Sequence, residues 1–164
     1  MNLKVMKTSH IFWIVVLLCT KASAQVDPID KNNLAIGGYD LVAYFNGGKA
    51  IRGLPANASV YQGVTYQFIN EENQKLFEGD PAHYLPQYDG YCALAVSYGK
   101  KVSINPEAFK ITNGKLYLFF YGKSGTKTVN SLDTWIKSEP RLLKKADELW
   151  PKVTALKYKT GEGL

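Results

Sequence analysis

The apolar positions change period several times along the chain, and each change marks an element. Val60 and Tyr61, then Val64, Tyr66 and Phe68, flank Gln62-Gly63. That alternation predicts a hairpin over residues 59–70 with Tyr66 and Phe68 on a buried face. After it the run EENQKLF is rich in helix formers, with Asn70 placed to cap the helix and Gly79 to close it in a left-handed conformation. Asp80-Pro81 restarts a helical turn, the aspartate as cap and the proline at the first helical position. A second hairpin is predicted over residues 109–120, where two apolar runs meet at Asn113-Gly114, the pair suited to a type I′ turn. Its LYLFFY side is apolar on both faces, which predicts a central strand. Residues 131–135 read as a short helix. Ser138 then caps a longer one with Pro140 in its first turn, and Leu142, Leu143, Ala146, Leu149 and Trp150 repeat along one face until Pro151 ends it. Gly37-Gly38 and Gly47-Gly48 read as turns around a short element at residues 39–45. The sum is an α+β fold: a small antiparallel sheet with short helices and a covering C-terminal helix.

The first residues follow a different logic. Lys4 and Lys7 precede the apolar run IFWIVVLLC, which is too short to span a bilayer, and Ala22-Ser23-Ala24 supplies the small residues of a cleavage site. Residues 1–24 are therefore expected to be a signal peptide cleaved after Ala24, sending the protein to the periplasm or outside the cell with no stable membrane anchor. Residues 25–36 are then a leader segment, 37–156 the domain and 157–164 a tail. Cleavage removes Lys4, Lys7 and Lys21 and no acid, so the formal charge falls from +6 to +3. Such a charge provides no basic face for nucleic acid. Cleavage also removes His10, Cys19 and both methionines, leaving His83 and Cys92 as the lone histidine and cysteine. An intramolecular disulfide is excluded, and with it the class of cysteine-stapled secreted modules.

Three chemistries are open to these residues. Cys92 and His83 could be two ligands of a metal site, completed by Asp40, Asp89 or a partner chain. Cys92 could instead be a nucleophile if Gly90 opens a helix over residues 91–98 and places the thiol in its first turn, with His83 as base. Against both stands burial, because a free cysteine beside Ala93, Leu94 and Ala95 packs as a small hydrophobe. The tyrosines offer a third chemistry: Tyr39, Tyr66, Tyr88 and Tyr91, with Asp40, could line a ligand pocket or an interface, or could fill a core whose hydroxyls bond to loop backbone.

GGYDLVAYF (37–45), the tract VYQGVTYQFINEENQKLFEGDPAHYLPQYDGYCALAV (60–96), the NGKLYL hairpin and the closing KADELWP (145–151) resemble the YHS domain family, and within it the exported bacterial branch. The resemblance implies a small α+β fold. It also implies metal binding, since the best-known members hold metal through cysteines in a DPVCGM-like opening and a YxFCSxxC-like stretch and occur beside copper-transport modules. Here the opening is Asp40-Leu41-Val42-Ala43, with alanine in the first cysteine's place, and Ile69 and Asn73 stand at the other two. The function expected is a non-enzymatic exported binding or accessory protein associated with a copper or zinc ion, with Cys92 the first ligand and His83 the second. The rival is a tyrosine-rich module that binds a protein or small ligand without metal; a thiol-dependent enzyme is third.

Overall fold

A computed structural model describes residues 33–156. Its first hairpin joins β1 (Leu54–Tyr61) to β2 (Val64–Phe68) through Gln62 and Gly63, both at positive φ as a type I′ turn requires. Val64, Tyr66 and Phe68 are buried while Thr65 and Gln67 between them are half-exposed, so the period of two is real. The second hairpin, β3 (Asn105–Thr112) with β4 (Lys115–Phe119), turns at Asn113-Gly114 in the same way. A third joins β5 (Tyr121–Ser124) to β6 (Lys127–Asn130). Each hairpin is its own two-stranded antiparallel sheet. Two of them share an irregularity: the pairing jumps from Leu54↔Phe68 to Ala58↔Gln67, and from Asn105↔Phe119 to Phe109↔Leu118. In both cases a proline, Pro55 or Pro106, follows the outer paired residue; it cannot donate to the ladder, and the strand bulges there.

The expected central strand is β4, and here the structure corrects the sequence reading. β4 is buried on both faces but has one neighbour, β3. Its two faces are covered by separate clusters rather than by strands on either side. Leu116 and Leu118 pack with Leu41, Tyr44, Phe68 and Phe77; Tyr117 and Phe119 pack with Cys92, Trp135, Leu142 and Ala146. A fully buried aliphatic or aromatic side chain contributes roughly 1.5–3 kcal/mol, so both clusters are substantial. The first of these clusters also takes in Ala35 and Ile36, because the backbone of Asn33 and Ala35 pairs with Thr65 and brings these residues inside.

The helices are α1 (Leu41–Gly47), α2 (Glu71–Gly79), α3 (Pro81–Tyr84), α4 (Ala93–Val96), α5 (Ser131–Ile136) and α6 (Glu139–Val153). Asn70 caps α2 as expected, its side chain accepting from Asn73 N at 2.8 Å. Gly79 does not take the left-handed cap: it is the last residue of α2, and Asp80 turns the chain and then caps α3. Ser138 sits at the start of α6 but its side chain makes no capping bond. Pro151 does not end α6 either, since so near the terminus it forfeits one backbone bond, and Thr154 N closes on Trp150 O at 2.8 Å. The helix expected over residues 91–98 shrinks to α4, with Cys92 at its cap position. Among the described residues no helix is long and apolar enough to cross a membrane. The expected signal peptide and the tail at 157–164 lie outside the described residues.

Candidate functional site

Asp40 accepts four hydrogen bonds. It is fully buried, yet it is a carboxylate, and burial of a charge is tolerated only when its oxygens are satisfied. Oδ1 accepts from Val42 N at 2.8 Å and Ala43 N at 3.2 Å, capping α1. Oδ2 accepts from Ile69 N at 2.9 Å and from Asn73 Nδ2 at 2.7 Å. One side chain thereby ties α1 to the end of β2 and to α2. Three of the four donors belong to Ala43, Ile69 and Asn73, the positions that line up with cysteines in the YHS pattern the sequence resembles. The fold gathers those positions around one point, and a hydrogen-bonded carboxylate occupies it. Asp40 has no acceptor capacity to spare for a metal.

Cys92 is buried in the cluster beneath α6, with Ser131 Oγ beside its thiol. Burial pushes the thiol's pKa up, against the smaller opposing pull of nearby hydrogen-bond donors. A thiol held protonated and out of solvent is a packing group rather than a nucleophile. His83 lies elsewhere, exposed on α3, with its ring 5.1 Å from Phe45 and 4.7 Å from Tyr84. Those neighbours belong to the other side of β4 from Cys92. The two residues are thus not brought together, and among the described residues no three His, Cys, Asp or Glu side chains are grouped to hold a metal ion. The donor set does not fit the copper or zinc site that the resemblance implies.

The tyrosines divide. Tyr66 and Tyr91 are core residues, Tyr66 with its ring 4.8 Å from Phe77. Tyr88 is mostly buried and its hydroxyl donates to Asp147 Oδ1 at 2.7 Å. Tyr39 reaches a groove of about 550 Å³, and it is there that polar groups converge. The Arg52 guanidinium lies 4.8 Å from the centre of the Tyr39 ring and donates through Nη1 to Gly37 O at 2.9 Å. The Tyr39 hydroxyl donates to Glu107 Oε1 at 3.4 Å. Tyr121, half exposed, forms another wall.

Rigid pieces hold this groove. Tyr39 pairs with Arg52 in an antiparallel bridge, and Asp40 N donates to Ile51 O at 2.9 Å. Ile36, Gly37 and Gly38 all have positive φ; for a β-branched residue such as Ile36 that conformation is strained. Gly53 must be glycine, because a Cβ there would stand 2.3 Å from the Gln67 carbonyl carbon. Tyr44 reaches across to donate to Pro106 O at 2.8 Å, fixing the bulge that carries Glu107. Arg52, Glu107 and Tyr121 were not among the expected site residues. Pro106 inside a strand pattern was the one local signal that Glu107 is pushed out of the ladder.

No family model, curated protein or solved structure matches the chain.

Proposed function

We propose that this protein is an exported, non-enzymatic binding or accessory module of YHS type whose ligand sits in the Tyr39/Arg52 groove. The YHS reading is supported by the way Ala43 on one side, and Ile69 and Asn73 some 26 to 30 positions further on, meet at Asp40. The same arrangement speaks against metal as the ligand, since that locus is filled by four hydrogen bonds.

One observation carries the choice of groove. Arg52 and Glu107 both adjoin Tyr39 and carry opposite charges, yet they form no ion pair with each other. A guanidinium has five N–H donors in a planar fork, which suits a carboxylate taken two-pronged. Glu107, at the hydroxyl end of the ring, suits an ammonium or other donor. The ligand class is therefore a small zwitterion, an amino acid or a peptide end. Titrating the ¹⁵N-labelled protein with alanine, with acetate and with ethylamine tests this. Alanine should shift the amides of Gly37, Arg52 and Glu107 more than either half-molecule does, and Arg52→Gln should weaken it about fivefold or more. Absence of any shift at those amides with all three probes would sink the assignment.

A further inference from the structure

The Tyr39/Arg52 groove does not end at Glu107. A second compartment of about 320 Å³ adjoins it, and Glu107 and Tyr121 are walls of both. The rest of its lining is Ala108, Leu132 and Asn130, so Glu107 is the one charged group there. Ala108 is buried and Leu132 half-buried, both packed into the cluster around Trp135, which makes the floor apolar and fixed. The Asn130 side chain is committed to the start of α5: it accepts from Leu132 N and donates to Asp133 Oδ1, each at 3.1 Å. Tyr121 is held opposite Asn130 in the β5–β6 ladder. A pocket with an apolar floor and a few placed polar groups suits the apolar part of a small molecule.

The other compartment decides what that molecule is. The Arg52 guanidinium lies 4.8 Å from the centre of the Tyr39 ring, and Glu107 Oε1 lies 3.4 Å from the hydroxyl of the same ring. A single α-carbon, carrying a carboxylate for one and an ammonium for the other, is the smallest group that serves both charges. A peptide end offers only one of the two, because an amide replaces the ammonium at a C-terminus and the carboxylate at an N-terminus. The side chain on that α-carbon then leaves the head groups beside Glu107, where the second compartment begins.

We infer that the ligand is a free amino acid with an apolar side chain of about leucine's size, its head groups between Arg52 and Glu107 and its side chain against Ala108, Leu132 and the Tyr121 ring. This rests on the reading of the Tyr39/Arg52 groove given above and narrows it. Each methylene taken out of water strengthens binding about fourfold. Tyr121 is half exposed, so the burial is partial, and leucine should bind about tenfold more tightly than alanine. The test titrates the ¹⁵N-labelled protein with leucine, alanine, asparagine (a polar side chain of similar size) and N-acetyl-leucine. Leucine should outbind alanine and asparagine, shift the Ala108 and Leu132 amides that alanine leaves in place, and lose about fivefold or more on acetylation. Leu132→Ala should cut leucine's advantage over alanine to about threefold or less, with alanine's own affinity unchanged. The four ligands on the unaltered protein decide the matter even if that variant does not fold. Equal affinities for leucine and alanine, with alanine still shifting Gly37 and Arg52, would overturn this inference and leave the groove reading standing. Equal binding of N-acetyl-leucine would overturn it in favour of a peptide end. No shift at Gly37, Arg52 or Glu107 with any of the four would overturn both.

Discussion

At the scale of single residues, Asp40 shows what local sequence reveals and where it stops. An aspartate followed by Leu41, Val42 and Ala43 is legible as a helix cap, and its Oδ1 does cap α1. The other oxygen takes its partners from 29 and 33 residues away, and nothing near Asp40 announces them. Replacing Asp40 by alanine would strand four buried donors at once, and we expect a loss of roughly 3–5 kcal/mol. Asp40→Asn keeps the shape and one accepting oxygen but turns an amide N–H₂ toward other donors, so it should also destabilise. Urea unfolding of both variants measures this; a loss in Asp40→Ala within about 1 kcal/mol, the level of a surface pair, would show that the node is not structural. Arg52 and Glu107 carry the same lesson for the groove. They are 55 positions apart and become neighbours only through Tyr39. Cys92 was legible as a residue that packs, because its own flanks are apolar.

Among the elements, the hairpin turns were the most readable, since Gln62-Gly63 and Asn113-Gly114 encode positive φ in two letters. Helix ends were less so, because Gly79 and Pro151 act through backbone geometry that tertiary packing sets. The start of α6 illustrates how an end can be fixed by distant groups. Glu139, its first residue, accepts from Lys110 and Thr112 of β3 and from the Trp135 indole of α5 at 3.1 Å. Burial alone would raise the acid's pKa, but those donors and the Lys110 charge outweigh it and hold the carboxyl below its ordinary value of 4.5. A depressed folded pKa gives stability that is fully present above the unfolded value and is lost as pH falls through the folded one. Melting temperature should therefore fall as pH drops below about 4.5. The fall should be shallower in Glu139→Gln, which has no proton to take up at that site. Parallel curves for the two proteins would assign the acid sensitivity to other carboxylates.

For the whole molecule, α+β architecture was legible from period alone, while the division into two clusters was not. The double-faced pattern of LYLFFY is equally consistent with a strand in mid-sheet and with a strand between two helical layers; only the packing of α1 and α2 on one side and α4 to α6 on the other decides it. Because both clusters lean on β4, we expect one unfolding transition rather than two. Leu118→Ala faces away from Trp135, yet it should lower the midpoint read by tryptophan fluorescence as much as that read by far-UV circular dichroism. The expected cost is about 2–5 kcal/mol. A fluorescence transition that stays put while the dichroism moves would show that the clusters melt separately. The shared strand also sets how this sequence can change over time. Substitutions on either side of β4 can accumulate independently, each cluster adapting alone. Gain or loss of one residue between Gly114 and Leu116 is another matter: it would send Leu116 and Leu118 to the Trp135 side and Tyr117 and Phe119 to the Phe77 side. Lineages carrying this domain should vary in composition along β4 and hold its length constant.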